Sequence, residues 1–404
     1  MTNNWQKFRL DDVCIQITDG VHNTVIDTPH TQYYLLSCKN LKNGTIVIGE
    51  NERTINEATL STLRKRTQTA KGDVLLSSVG TIGETAIIKD ENPNYEFQRS
   101  VAIFKPNPDY ITSKFLFYTL NNNKKILQHA AHGAVQQCLF INPLKDFPIS
   151  LPPLDVQRRI AGVLGALDDK IELNNKINQN LESQAQTLFN EQILKNTTLG
   201  KIGDYCSLKS GFAFKSSWWK DSGIKVIKIK NIEVSGLNLK DCSFVSDDKI
   251  TLAKDFIVKG GDLLIAMTGA TIGKFTIVPY VDEILLVNQR VGKFFLGDNP
   301  LKRLPFIYCT LKQPEIVSEI INRGQGSAQP NISGNDIMSI SCIYPNNSVI
   351  EEFNNICKPY FEKIITNQYE NMKLSAIRDA LLPKLMSGEI DVENLPQSAI
   401  IPNE

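Results

Sequence analysis

The chain has 404 residues, 42% of them hydrophobic and 22% charged, with 44 Lys and Arg against 43 Asp and Glu. That length favours two or three domains, and the composition excludes a disordered chain. A net charge of +1 supplies no overall field that would draw the protein to a polyanion. By segment, however, residues 1–150 carry +2, residues 197–345 carry +4 and residues 389–404 carry −4. The longest strictly apolar runs, such as residues 263–267 and 284–287, are too short to span a bilayer. The N-terminal stretch lacks the apolar core of a signal peptide, and the eight cysteines contain no C-x-x-C pair. The expectation is a reduced, cytoplasmic protein without a zinc ribbon or a disulfide framework.

In chain order, residues 1–153 read as a first globular domain of mixed α and β structure. Short apolar runs such as Tyr33-Tyr34-Leu35-Leu36 are broken by Gly, Asn and Asp, and a helical stretch covers residues 113–121. Residues 154–196 read as a long helix, since residues 155–195 contain no Pro, only two Gly, and apolar positions three and four apart. Residues 197–346 read as a second mixed domain, 347–388 as a second long helix and 389–404 as an acidic tail.

The second half repeats the first. Lys71-Gly72-Asp73-Val74-Leu75-Leu76 returns as Gly260-Gly261-Asp262-Leu263-Leu264-Ile265, an offset of 189. Gly80-Thr81-Ile82-Gly83 returns as Gly269-Ala270-Thr271-Ile272-Gly273, and Gln98-Arg99 as Gln289-Arg290 at 191. Gly133-Ala134-Val135-Gln136 returns as Gly326-Ser327-Ala328-Gln329 at 193. Landmarks that keep their order while the offset drifts are the signature of duplicated domains with loop insertions.

Both long helices carry a heptad. Ile160, Leu167, Asn174, Leu181 and Leu188 fall seven apart, with Val163 and Ile177 as d positions. Phe353, Tyr360, Asn367, Leu374 and Leu381 do the same, with Ile356 and Ile377 as d positions. Asn174 and Asn367 are equivalent, and a polar a position fixes register. The matched asparagines therefore point to two helices that face each other as a coiled-coil spacer, roughly 60 Å long at 1.5 Å per residue. Antiparallel packing would relate the two domains by an approximate two-fold axis. Duplex DNA has such axes too, so two unlike domains could read an asymmetric, split target.

At these residues the chain resembles the specificity subunit of type I restriction–modification systems. The resemblance rests on Leu151-Pro152-Pro153-Leu154-Asp155-Val156-Gln157, on Ile171 through Leu181, on Leu381-Leu382-Pro383-Lys384-Leu385-Met386-Ser387-Gly388-Glu389-Ile390, and on the two Thr-Ile-Gly turns. The second copy departs from it at Tyr344-Pro345-Asn346-Asn347, with Ile350 where the first has Gln157. The resemblance implies an α+β chain in which two target-recognition domains are joined by two long antiparallel helices. It also implies double-stranded DNA as ligand, two methylation subunits that bind S-adenosylmethionine, and restriction subunits that use ATP and magnesium.

This chain carries no catalytic apparatus of its own in its sequence. Gly273-Lys274-Phe275 lacks the spacing and hydroxyl of a Walker A loop, Gly324-Gln325-Gly326 does not continue as a dinucleotide loop, and Leu151-Pro152-Pro153-Leu154 lacks the polar and aromatic ends of an adenine methyltransferase motif. His129 and His132 have no acidic partner and read as a helix surface rather than a metal site.

Candidate DNA contacts lie at the landmark turns. Ser77, Ser78, Gly80 and Thr81, with Thr268, Gly269 and Thr271, bring small residues and hydroxyls near phosphates; the alternative is a tight turn with glycines at positive φ. Gln98-Arg99 and Gln289-Arg290 carry the side chains that read adenine and guanine bidentately, or else a solvated strand face. Gln136 and Gln137, and Gln325, Ser327 and Gln329, lie in polar loops. Lys39-Asn40 and Lys230-Asn231 close equivalent strand-like runs, as DNA contacts or as caps. Arg64-Lys65-Arg66 reads as a solvated helix face, and Trp218-Trp219 as core. The competing function is a duplicated, non-enzymatic scaffold that binds proteins.

Overall fold

A computed structural model describes residues 5–131, 137–233, 236–325 and 330–392. The chain divides into two compact units, residues 1–169 with 375–404 and residues 170–374. The division falls within the long helices rather than at their ends, so each unit holds one mixed domain and a share of both helices.

In the first unit, four antiparallel strands lie in the order Cys14–Asp19, Val101–Pro106, Val74–Ser77, Thr85–Ile87. A second sheet places Tyr33–Leu36 between Thr54–Ile55 and the parallel strand Tyr95–Phe97. The second unit repeats this plan. Its first sheet runs Ser207–Ser210, Val291–Phe295, Leu263–Ala266, Phe275–Ile277, and its second sets Ile224–Ile227 parallel to Leu285–Val287. The central strands Val74–Ser77 and Leu263–Ala266 are buried throughout, as their continuous apolar runs require. The expected helix over residues 113–121 is Ser113–Asn122, capped by the Thr112 hydroxyl, which accepts from the Phe115 N–H.

The long helices are Leu154–Gln192 and Asn347–Met386. Gln157 seats the first: its amide donates to the carbonyls of Tyr110 at 2.8 Å and Pro152 at 3.0 Å and accepts from the Thr112 N–H. The second helix lacks this glutamine. Asn346 caps it by accepting from the Val349 N–H, and Asn354, one turn past the vacant position, accepts from the Phe306 N–H and donates to the Tyr205 hydroxyl. The helices build the cores of their units. Ile160 and Leu164 join Phe104, Phe115 and Leu385 in the first; Phe189, Phe353 and Phe361 join Phe294 and Phe306 in the second.

The heptad needs correcting. Ile356 and Ile377, assigned to d positions, are exposed, whereas Asn178, Ala185 and Cys357, each four residues after an a position, are buried. A helix of 3.6 residues per turn drifts against a 3.5-residue repeat, so the contact line passes through a and the position four later. Asn174 and Asn367 therefore do not pair with each other. Asn174 donates to Asn371 at 2.8 Å and Asn367 donates to Asn178 at 2.8 Å, two antiparallel rungs within the second unit.

Candidate nucleic-acid interface

In the first unit four segments converge where the chain passes from one sheet to the other. Residues 98–100 link Tyr95–Phe97 to Val101–Pro106. Their backbone is fixed by Gln98 N–H to Leu36 O at 2.8 Å, Arg99 N–H to Val21 O at 3.0 Å and Val101 N–H to Gln98 O at 3.0 Å. Ser78 N–H donates to Ser100 O at 2.9 Å, and Leu139 N–H to Ser78 O at 2.8 Å, so residues 78–81 and 137–139 join the same end. Cys38 N–H donates to Ser100 Oγ at 3.1 Å, which brings in the single helical turn Cys38–Asn40.

The second unit builds the same end with the same bonds. Asn288 N–H donates to Ile227 O, Gln289 N–H to Phe212 O, Val291 N–H to Asn288 O and Met267 N–H to Arg290 O, all at 2.9–3.0 Å. Gly269 N–H donates to Pro330 O and Ile332 N–H to Met267 O, tying in residues 330–332. The helical turn here is Ile229–Asn231.

These bonds correct the repeat alignment. Gln98 corresponds to Asn288, Arg99 to Gln289 and Ser100 to Arg290, so the two Gln-Arg pairs stand one residue out of register. Backbone bonding fixes the turn, and the side chains on it are free to shift.

Several candidate contacts are structural. Asn40 and Asn231 are buried: each accepts from a backbone N–H three residues back and donates to a carbonyl seven residues on, so neither faces a base. Ser77 and Ser78 are buried, and the Ser77 hydroxyl donates to Thr81 O and accepts from Glu84 N–H. Thr271 donates to Thr268 O at 3.2 Å. Arg64 is not a solvated residue: it pairs with the buried Glu96 at 3.0 Å and donates to the carbonyls of Pro93 and Tyr95, while Arg66 reaches Thr18, Asp19 and Gly20. Of that run only Lys65 is exposed without a partner among the described residues.

Solvent reaches Lys39, Gly80, Thr81, Arg99 and Gln137 in the first unit and Lys230, Gln289, Arg290 and Gln325 in the second, with Gln98, Thr268 and Gly269 half-buried. Gly80 and Gly269 hold φ of +73° and +71°, the left-handed conformation that favours glycine. Gln136, Ser327, Gln329 and His132 lie outside the described residues. His129 turns back on its own helix, with Nδ1 2.6 Å from Lys125 O. Among the described residues no three His, Cys, Asp or Glu gather as for a metal ion, and no helix is long and apolar enough to cross a membrane.

The charges differ between the two ends. Lys39 pairs with Glu52 at 2.9 Å; burial raises that carboxyl, but the hydrogen bonds from Lys39 and Asn40 outweigh it and hold it below its usual range. In the second unit the Lys228 ammonium lies 3.6 Å from the centre of the Trp219 ring. Burial, and then the neighbouring charges of Lys230 and Arg290, lower its pKa. Trp218 and Trp219 are half-buried rather than core: Lys215 and Lys249 cover Trp218, and Phe212 stacks on it.

Two features of this end are hard to see in the sequence. Lys228 replaces Ser37 and is visible only as one of three lysines in residues 225–230. Gly20 and Gly211, both directly before the residue that receives the turn, are a repeated landmark at offset 191. A Cβ on either would lie 2.1 or 2.4 Å from the carbonyl oxygen of Phe97 or Val287.

Known proteins are similar to this chain in sequence and fold. Residues 2–183 and 195–373 each match the family model for the type I restriction modification DNA specificity domain. The chain is 28% identical to the type I restriction enzyme MjaIX specificity subunit of Methanocaldococcus jannaschii, covering 87% of this chain and 84% of that one. It is 25% identical to the HindI specificity subunit of Haemophilus influenzae, covering 79% and 87%. In fold it is similar to the crystal structure of a type I restriction–modification S subunit from M. genitalium, with a TM-score of 0.52 at 19% identity over 95% of this chain and 97% of that one. With the specificity domain matched in both halves, over most of its length, this chain belongs to the type I restriction–modification specificity-subunit family.

Proposed function

We propose that this chain is the DNA-recognition subunit of a type I restriction–modification complex and that each recognition domain reads one half of a bipartite, asymmetric target. The carrying observation is the duplicated end: one set of backbone bonds holds the turns at 78–81 and 98–100, and again at 267–271 and 288–290, while the exposed side chains differ. A shared scaffold with unlike side chains suits two readers of unlike sequence. The chain itself is not catalytic. Methyl transfer from S-adenosylmethionine belongs to two methylation subunits docked on the long helices, and ATP- and magnesium-dependent translocation and cleavage to restriction subunits, all acting in the cytoplasm.

Methylome sequencing of a host that expresses this chain with its methylation subunits tests the reading. The expected result is one methylated adenine motif, split into two different half-sites, that disappears when this chain is deleted. A motif that survives the deletion, or a complex that leaves DNA unprotected, overturns it in favour of a protein-binding scaffold.

A further inference from the structure

The three positions that surround the converging turns carry different electrostatics in the two domains, cationic in the second and close to neutral in the first. Lys228, Lys230 and Arg290 occupy them in the second domain, and none has an acidic partner among the described residues. Ser37, Lys39 and Ser100 occupy them in the first, where Lys39 is neutralised by Glu52 at 2.9 Å. Tyr34 pairs with Thr54 and Lys225 with Phe244, so counting back two residues places Cys242 where the first domain has Glu52. Lys228 is also held in place, its backbone N–H on Asn231 Oδ1 at 2.8 Å and its ammonium on the Trp219 face. Three like charges gathered without a counterion repel one another, and an arriving anion relieves that repulsion.

We propose that the two recognition domains grip DNA unequally, the second supplying the dominant phosphate clamp through Lys228, Lys230 and Arg290, and the first meeting its half-site with Arg99 as the one free cation of its turn among the described residues. This rests on the DNA-recognition reading above and adds which domain carries the backbone affinity. A phosphate fits the cluster because it needs charge rather than a base edge, and Trp219 keeps the Lys228 ammonium from folding away. Cation–ring contacts of this kind leave the remaining N–H groups free to donate.

The test uses the complex of the full chain with its methylation subunits and a duplex bearing the methylated sequence. Dissociation constants are measured across salt concentrations for the wild type, Lys230→Ala with Arg290→Ala, and Arg99→Ala. Removing one cation from a phosphate lowers the slope of log affinity against log salt by about one. The double variant is expected to lose about two units of slope and Arg99→Ala at most about one. The methylated sequence should not change, since phosphate contacts carry no base information. All three side chains are exposed, so folding is retained, and melting temperature checks it. An unchanged slope for the double variant, or a larger loss for Arg99→Ala, overturns the unequal grip. A wild-type complex that fails to bind the duplex overturns the recognition reading itself, and this inference with it.

Discussion

The turn at residues 98–101 and the turn at 288–291 are closed by the same backbone bonds, yet one presents Gln, Arg and Ser and the other Asn, Gln and Arg. The strands that follow show the same freedom inside the protein. In the first domain Ile103 is buried and Lys105 reaches Asp73 at 2.6 Å. In the second, Lys293 stands where Ile103 does and reaches the equivalent Asp262 at 3.0 Å, while Phe295 stands where Lys105 does. Lysine and apolar residue have changed places on one face of the strand, two residues apart, and the buried carboxylate keeps its partner by either route. What the duplication conserved is backbone geometry and the satisfaction of buried groups; which residue meets the need was open to change.

The largest expected effect comes from what the domains share without variation. Gly20→Ala and Gly211→Ala each force a methyl against carbonyl oxygens, and the turn must move as a whole. Each should cost more than about 3 kcal/mol, in the range of severe steric lesions. Urea unfolding should show it, and each variant should lose methylation of the motif altogether because one half-site is no longer read. A loss below about 1 kcal/mol would mean that the two turns are not rigid and that their common bonding is incidental.

The exchanged lysines come next. Lys293→Ile strands Asp262 in the core without a cation and should destabilise the second unit by about 3 kcal/mol, as broken buried pairs do. Adding Phe295→Lys recreates the arrangement of the first domain and should recover most of that loss. If the double variant is no better than the single one, the two domains are less interchangeable than their register implies.

Much of this scaffold is legible in the sequence. The repeated Gly-Asp pair before the central strand and the starts of both long helices follow from residues whose roles are local, a turn and an unbroken periodicity, although the expected helices run four and two residues past the observed ends at Gln192 and Met386. The functional end is less legible because its register is set by bonds to distant strands. Matching Gln-Arg to Gln-Arg by identity places Arg290 one position wrong, and backbone bonds such as Met267 N–H on Arg290 O, against Ser78 N–H on Ser100 O, correct it. The Lys228–Trp219 contact joins residues nine apart across a bend and the strand Ile224–Ile227, so no helical or strand periodicity links them. The asparagine partners are hidden because heptad counting presumes a supercoil that the helices do not follow through these rungs.

Those rungs supply the smallest and most discriminating expectation. Asn174 and Asn367 are both within 1% of complete burial, and neither Oδ1 has a hydrogen-bond partner among the described residues. Their donors differ in what they support. Asn174 donates to Glu370 and Asn371, both half-buried and able to turn to water. Asn367 donates to Asn178, which is itself buried. Asn174→Leu therefore removes an unsatisfied acceptor and should stabilise the helix pair by about 1 kcal/mol, with a rise in melting temperature and a looser register seen as mixed assembly. Asn367→Leu removes the same kind of acceptor but leaves Asn178 Oδ1 without a donor, so its net effect should be near zero. Equal stabilisation by both would mean that Asn178 finds water in the variant, and that the two rungs are equivalent in energy as well as in position.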